Sequence, residues 1–246
     1  SDTICIGQSA VLHVSGAENY RWSPAGSLND STSANPVASP TVTTTYTVTG
    51  YDSLNCFQTT ATVTVVVYPY PVVNAGRDTT IRGGNPVRLL PQLSADVTSV
   101  LWSPITNLSC TTCINPIATP IKTTTYRIIA SNPGVCSSFD DVKITVLCDR
   151  NSIFIPNAFT PNGDNVNDRF YVMGYGIQNV KSMRVYNRWG NLIFEKTYVD
   201  ANDPLKGWDG TMNGQPAPPG LFTYTTEIIC GDGGIFPVSG TVILIR

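Results

Sequence analysis

The sequence predicts an all-β protein of three tandem antiparallel β-sandwich domains. The first observation behind this fold class is an internal repeat with a constant offset of 80 residues. The second is strand-like alternation of apolar and polar residues along the whole chain, with no helical periodicity over a window of about 11 residues. The third is the punctuation by Pro, Gly and Asn about every 8–12 residues, which is typical of sandwiches built from short strands.

Two copies of one module make up the first part of the chain. Four blocks recur, identical or conservatively changed, 80 residues later: Trp-Ser-Pro at 22–24, Asn-Pro-Val-Ala-Ser-Pro at 35–40, Thr-Thr-Thr-Tyr at 43–46, and Cys56. One offset shared by four separate blocks indicates a duplicated unit. We therefore expect domains at residues 1–70 and 71–148, followed by a different domain at 149–246.

Each copy contains aromatic residues suited to a sandwich core. Trp22 and Trp102 stand before Ser-Pro, and we expect both to fill the space between sheets. In the last 98 residues, apolar and polar residues alternate over segment 183–186, and segment 192–195 predicts the strand that returns beside it. The Gly190-Asn191 pair before this second strand predicts a two-residue hairpin turn. Segments 221–229 and 238–245 predict two further strands.

Composition excludes several classes of function. The net charge is −2, so we do not expect the clusters of Lys and Arg with which proteins bind the phosphates of nucleic acids. The sequence contains no stretch of about 20 apolar residues, so it predicts no membrane span. The single histidine, His13, reads as one polar position on a strand, and Asp140 and Asp141 are adjacent and would point to opposite faces. We therefore predict that these residues form no enzyme.

Seven cysteines in a chain with only 13% charged residues indicate an oxidising compartment and hence export. The first residues show no signal peptide, so we expect residue 1 to lie at a processing boundary of a longer precursor. The C-x-x-C motif at 110–113 has no second pair of cysteine or histidine ligands, which a zinc site needs, and this favours a local disulfide. The expected disulfides are Cys5–Cys56, Cys110–Cys113 and Cys148–Cys230. They leave the partner of Cys136 open.

Two groups of residues invite a ligand. A loop rich in side-chain oxygens is a possible weak calcium site, formed by Asn162, Asp164, Asn165, Asn167 and Asp168. The alternative is a turn in which these side chains cap their own backbone, and the two arrangements are compatible. Trp189 and Trp208 stand beside turns, where rings can stack on sugars, although small sandwiches also need aromatic core residues. No other cofactor is expected.

The two repeats resemble the Ig-like and PKD-like modules of Bacteroidota surface proteins. The residues that carry this resemblance are the Trp-Ser-Pro motif, Asn35-Pro36, the Thr-Thr-Tyr strand and the late cysteine, each with its counterpart. The resemblance implies an Ig-like sandwich that acts as a spacer or as an adhesive unit.

Four features mark the third domain: Pro-Asn-Ala-Phe-Thr-Pro-Asn-Gly-Asp at 156–164, Tyr-Asn-Arg-Trp-Gly at 186–190, Trp-Asp-Gly at 208–210 and a final strand ending in Arg246. In these motifs it resembles the type B C-terminal sorting domain of the type IX secretion system, also called the gliding-motility-associated C-terminal domain. Asn165 and Phe222 depart from the usual Gly and Tyr of the family. Asn tolerates the left-handed backbone of such a turn better than other non-Gly residues.

This second resemblance implies a routing function. The chain would be the end of a secreted, adhesin-like surface protein that crosses the periplasm and leaves through the outer-membrane type IX translocon. A dedicated outer-membrane accessory protein would be its partner, and the repeats would act as a stalk. An alternative is that the repeats bind a surface glycan or protein. The implied recognition residues are Pro156, Asn157, Phe159, Pro161, Asn162, Asp164, Asp168, Arg188, Trp189, Gly190, Trp208 and Asp209.

Overall fold

The computed structural model describes residues 2–54, 58–231 and 233–246. Within these ranges the regular structure is β-strand, apart from two short 3-10 helices at Arg150–Ser152 and Pro204–Lys206. The strands form three groups that share no sheet, and each group has its own apolar core. We call these groups the first, second and third modules. The predicted all-β, Ig-like fold class is confirmed.

The first module consists of a four-stranded sheet and a two-stranded sheet. The large sheet has the order β1-β6-β5-β3, in which β1 is parallel to β6, and β2 pairs with β4. Its strands are β1 (Asp2–Cys5), β2 (Ala10–Val11), β3 (Asn19–Ser23), β4 (Val37–Ala38), β5 (Thr44–Tyr51) and β6 (Gln58–Tyr68).

The second module repeats this arrangement. Its large sheet has the order β11-β13-β14-β8, with β8 parallel to β14, and two small sheets pair β7 with β10 and β9 with β12. Its strands are β7 (Val73–Asn74), β8 (Thr79–Arg82), β9 (Val87–Arg88), β10 (Gln92–Leu93), β11 (Ser99–Ser103), β12 (Ile117–Ala118), β13 (Thr124–Ser131) and β14 (Ser137–Leu147). Strands β3, β4 and β5 recur as β11, β12 and β13 at the offset of 80 residues.

The tryptophan of each repeat lies in the core, as the sequence predicts. Trp22 and Trp102 are buried, and each indole N–H donates to a backbone carbonyl, that of Ser33 at 2.9 Å and that of Cys113 at 3.1 Å. Tyr46 and Tyr126 are buried beside them. Since both donors are satisfied, these tryptophans bury a large apolar surface without the cost of an orphaned polar group.

The third module is built on a five-stranded sheet with the order β16-β23-β22-β18-β19. Two small sheets pair β15 with β17 and β20 with β21. Its strands are β15 (Ile153–Phe154), β16 (Ala158–Phe159), β17 (Met173–Gly174), β18 (Ile177–Tyr186), β19 (Leu192–Val199), β20 (Thr211–Met212), β21 (Gln215–Pro216), β22 (Gly220–Cys230) and β23 (Ile235–Leu244). The predicted strands at 221–229 and 238–245 thus correspond to β22 and β23.

His13 differs from its predicted place on a strand. Strand β2 ends at Val11, and His13 is exposed in the segment that follows, where its Nδ1 lies 2.7 Å from Oδ1 of Asn35. The neighbouring amides of Leu12 and Val14 donate to the carbonyls of Pro36 and Ala34. The segment is therefore held by hydrogen bonds to the chain opposite, but its pairing is too irregular to extend the strand.

The joint between the first two modules corrects one predicted disulfide. Cys5 pairs with Cys136 and not with Cys56, which lies outside the described residues. The reason is the register of β1, whose parallel pairing with β6 places Cys5 opposite Tyr68 at the end of the module. The carbonyl oxygen of Tyr68 lies 3.8 Å from Sγ of Cys136, so the second module brings its cysteine to the same place.

Noncovalent contacts accompany this disulfide at the first joint. The side-chain amide of Asn132 donates to the carbonyl oxygen of Pro69 at 2.8 Å, and Asn132 is itself buried. The ring of Tyr68 lies so close to Gly134 that a Cβ there would collide with it. The joint is therefore a packed contact that requires a residue without a side chain at position 134.

The second joint carries the Cys148–Cys230 disulfide that the sequence predicts, and Cys110–Cys113 forms within the second module. The amide of Gly176 donates to the carbonyl oxygen of Ile121 at 2.7 Å, which links the third module to the second. Tyr175 lies directly against Gly83, where a Cβ would again collide with the ring. Both joints thus combine a disulfide, a hydrogen bond and a tyrosine packed on a glycine.

We expect the substitution Trp102→Ala to lower the free energy of unfolding by about 3–5 kcal/mol, because it empties a large, fully buried site. The matched control is Leu101→Ala on the same strand, whose side chain is half exposed and whose loss should cost less than about 1 kcal/mol. Denaturant unfolding of both variants measures the difference. Equal losses for the two variants would contradict the assignment of Trp102 to the core.

We expect peptide mapping without reduction to recover a linked pair of peptides containing Cys5 and Cys136, since their Cα atoms lie 5.7 Å apart. The Cys148–Cys230 pair, with Cα atoms 5.6 Å apart, serves as the internal positive control. Recovery of Cys5 linked to Cys56 would restore the pairing expected from sequence and remove the covalent joint between the first two modules.

Candidate functional site

The strand register of the third module brings its sequence motifs to one end of the sheet. Gly220, the first residue of β22, pairs with Leu244, which also pairs with Phe159 of β16. Tyr186, the last residue of β18, pairs with Thr223 and with Leu192. The segments that follow or precede these positions therefore lie together. We call this end of the third module the motif end; it comprises 156–169, 187–191, 208–212, 217–221 and 244–246.

The loop at 162–168 is organised around the carboxylate of Asp168. Its Oδ1 accepts hydrogen bonds from the amides of Asn162 at 2.9 Å and Gly163 at 2.7 Å, and its Oδ2 accepts one from Asn165 at 2.7 Å. These bonds, first that of Gly163, lower the pKa of Asp168 against the opposing effect of desolvation, and the charge of Arg169 adds to them. Asp168 thus acts as the acceptor at the centre of a tight turn.

Asp164 and Asn162 complete this turn. Oδ1 of Asp164 accepts from the amide of Val166 at 2.7 Å, and its Oδ2 accepts from the side-chain amide of Asn162 at 2.8 Å. Asn165 has a φ of 65° and Asn167 a φ of 54°, so two asparagines occupy left-handed positions. The loop therefore has the contacts of the backbone-capping turn. The calcium site stays a prediction, and among the described residues no group of three or more His, Cys, Asp or Glu side chains could hold a metal ion.

The Trp-Asp-Gly motif forms the floor of the motif end. Trp208 is fully buried, contacts Phe159 and Phe222 with ring centroids 5.2 and 4.9 Å apart, and donates its indole N–H to the carbonyl oxygen of Thr211 at 2.7 Å. Gly210 has a φ of 76° and lies against Leu244. Of the two interpretations of Trp208 from the sequence, a ring that stacks on sugars and an aromatic core residue, the structure agrees with the core residue.

Asp209 links this floor to the neighbouring loop. Burial raises the pKa of Asp209, but the hydroxyl and amide of Thr211 and the charge of Arg169 outweigh it, so the pKa is lowered. Arg169 Nη1 lies 3.7 Å from Asp209 Oδ2, and both side chains are about 40% exposed. A pair this exposed contributes little to stability, and its effect is to fix the position of two charges at the surface.

The loop at 187–191 presents the most exposed tryptophan of the motif end. It has five residues between β18 and β19 and is not the two-residue turn that the sequence predicts. The reason is Asn187, whose Oδ1 accepts from the amides of both Trp189 and Asn191 at 3.0 Å and so stabilises a wider loop. Trp189 is 73% exposed, and the Arg188 guanidinium lies 4.8 Å from the centroid of its ring.

Two cavities lie at the motif end. One of about 330 Å³ is bordered by the Arg188-Trp189 loop, by Met212 and by segment 218–222. A larger, open one of about 610 Å³ is bordered by Pro156, by segments 161–169 and 204–209, and by Tyr171 and Met173. The motifs thus surround two concave surfaces, the shape that ligand sites of proteins commonly have.

Arg246 connects the elements of this end. Its guanidinium donates to the carbonyl oxygen of Ala217 at 3.3 Å and to that of Gly210 at 3.1 Å. These two carbonyls belong to the Trp-Asp-Gly motif and to the segment before β22. The last described residue therefore binds back onto the same surface that the motifs form.

The recognition candidates from the sequence separate into two sets. Phe159 and Trp208 are buried and contribute through the core. The others lie at the surface of the motif end, fully or partly exposed: Pro156, Asn157, Pro161, Asn162, Asp164, Asp168, Arg188, Trp189, Gly190 and Asp209. Sequence reasoning did not single out Tyr171, Met173 and Leu205, because no motif spacing links them to the loops they meet in the fold.

These features define the protein as a tandem β-sandwich protein whose third module gathers its sequence motifs at one end of the sheet. Residues 153–235 match the family model of the CHU_C type IX secretion signal domain. This range is about a third of the sequence and spans the third module from β15 to β22, ending at the first residue of β23. The match indicates export, either to the cell surface or into the medium.

No curated protein matches the chain by sequence. A three-domain immunoglobulin structure of titin is 12% identical, with a TM-score of 0.40, over 100% of this chain and 96% of that chain. The immunoglobulin domains 1–5 of Sidekick-1 are 11% identical, with a TM-score of 0.39, over 98% of this chain and 56% of that one. No helix of the described residues is long and apolar enough to span a membrane.

We expect Asp168→Asn to destabilise the protein at neutral pH, because an amide cannot accept hydrogen bonds on both of its terminal atoms. The lowered pKa in the folded state means that the stabilisation by Asp168 is fully present above the pKa of an unfolded aspartate, about 3.9, and is lost as the pH falls through the folded value. The difference in melting temperature between wild type and variant should therefore shrink below about pH 4.

The control for this measurement is Asp200→Asn, at an exposed aspartate outside the loop. Melting curves between pH 7 and pH 3 should show no comparable change of the control with pH. A difference between wild type and Asp168→Asn that stays constant over this range would contradict the role of the carboxylate charge.

Proposed function

We propose that residues 149–246 are the sorting signal that directs this protein through the type IX secretion system, and that the motif end is the surface its machinery recognises. The modules at 1–70 and 71–148 are stalk units that carry no catalytic group. The signal is of type B, and its partners are the translocon and a dedicated outer-membrane accessory protein. The whole is an adhesin-like surface protein of a gliding-motility type, from a member of the Bacteroidota.

The observation that carries this proposal is the coincidence of the family match with the geometry of the third module. The match covers 153–235, and the strand register brings the motifs of that range to one end. Recognition residues are commonly presented by loops at the end of a rigid sandwich. The motif end fits this arrangement, since its loops are fixed by hydrogen bonds of Asp168, Asn187 and Arg246.

Exposed residues of the motif end are the proposed contacts. Trp189 has the geometry of an interface anchor, because its ring is largely exposed and its neighbour Arg188 is stacked on it. Phe159 and Trp208 support the surface from below. The role of stalk agrees with the burial of Trp22 and Trp102, since neither ring is free to stack on a sugar.

Export of a fusion protein tests the routing function. Residues 149–246 are placed behind a signal peptide and a fluorescent reporter in a host with a working type IX system, together with the cognate accessory protein. We expect the reporter outside the cell in this host and in the periplasm of a translocon-deficient strain. Retention of the folded fusion in the periplasm of the competent host would overturn the proposal.

Substitution of the exposed tryptophan tests the motif end itself. We expect Trp189→Ala to reduce export of the fusion by roughly tenfold, the effect of losing one aromatic anchor worth about 1.4 kcal/mol. The matched control is Tyr198→Ala, which removes another ring that is 69% exposed but lies near the other end of β19. Equal export of both variants at equal periplasmic stability would place recognition elsewhere on the domain.

A further inference from the structure

Two disulfides lie at the ends of long strands. Cys5 is the last residue of β1 and pairs with Cys136, which directly precedes β14. Cys148 directly follows β14 and pairs with Cys230, which ends β22 shortly before β23. Each disulfide crosses or adjoins one of the two joints. Strand β14 therefore has a covalent link to another part of the chain at each of its ends.

These links create a short covalent route along the protein. A tension applied to the two ends passes along residues 2–5 and through the Cys5–Cys136 disulfide to residues 136–148. It then passes through the Cys148–Cys230 disulfide and leaves along residues 230–246. This route contains about 34 residues and is at most roughly 120 Å long, whereas all 246 residues extend to roughly 850 Å. The two disulfides bypass loops with sequence separations of 131 and 82 residues.

Most of this route is already extended backbone. It consists mainly of β1, β14 and β23, and a β-strand at about 3.4 Å per residue is close to the maximal length of its chain. Strand β14 lies inside its sheet between β13 and β8, and β23 lies between β22 and β16. The 11 residues of β14 alone span roughly 37 Å from one joint towards the other.

We propose that these three strands and two disulfides form a covalent load line, a continuous covalent path that lets the oxidised protein carry tension between its ends with little lengthening. Unfolding of a module releases length only if the unfolded segment lies on the path of the force. The segments at 6–135 and 149–229 lie outside this path, so loss of their noncovalent structure adds no length. Only the bends between the strands can straighten.

Hydrogen bonds between neighbouring modules lie beside the load line at both joints. Asn132 donates to Pro69 across the first joint, and Gly176 donates to Ile121 across the second. The third disulfide, Cys110–Cys113, lies within the bypassed part and takes no share of the load. The load line does not depend on the sorting role, because it follows from the pairing of Cys5, Cys136, Cys148 and Cys230 alone.

Single-molecule stretching of residues 1–246 tests this proposal, with DNA handles joined enzymatically to both ends. We expect the oxidised protein to lengthen by less than roughly 50 Å before the attachments fail. The double variant C5S/C136S should gain up to roughly 450 Å, and C148S/C230S up to roughly 280 Å, in proportion to the separations of 131 and 82 residues. The matched control C110S/C113S should behave as the wild type.

A second arm covers variants that fail to fold. Dithiothreitol is added to wild-type protein already held under tension, and the same increments of length should then appear as each disulfide is reduced. The proposal is overturned if oxidised protein, with its disulfides verified by mass spectrometry, lengthens by hundreds of ångströms. It is also overturned if reduction of the held protein releases no length.

Discussion

The pairing of β22 with its two neighbours is the constraint on which the third module depends. This strand of 11 residues pairs with β18 on one side and β23 on the other, so it fixes both ends of the module at once. Its first residue, Gly220, lies among the motifs, and its last, Cys230, lies at the joint to the second module. The motif end and the covalent joint are therefore separated by roughly 37 Å of strand.

Much of the fold follows from local sequence patterns. A constant offset of 80 residues predicts two equivalent modules, and β3, β4 and β5 recur at that offset in the structure. Burial of Trp22 and Trp102 follows from the need of a small sandwich for large apolar side chains. Residue type does not show whether a carboxylate oxygen faces an amide or solvent, so the sequence leaves the capping turn and the calcium site at Asp168 as alternatives.

The sequence does not predict features that depend on contacts between modules or on side-chain caps. Cys5 pairs with Cys136 because strand register, not repeat position, determines which cysteines meet at the joint. The loop at 187–191 is wider than its Gly-Asn pair suggests, because Asn187 accepts two amide hydrogen bonds. The cavity that includes Tyr171 and Leu205 arises from segments far apart in sequence.

We propose that the sorting machinery contacts the motif end of the third module. Site-specific photocrosslinking during export tests this most directly, with a photoreactive amino acid at position 189 in the motif end or at position 235 near the joint. We expect crosslinks from position 189 to an identified component of the type IX machinery and none from position 235. Crosslinks from position 235 alone would contradict it, because they would place recognition at the opposite end of the sheet.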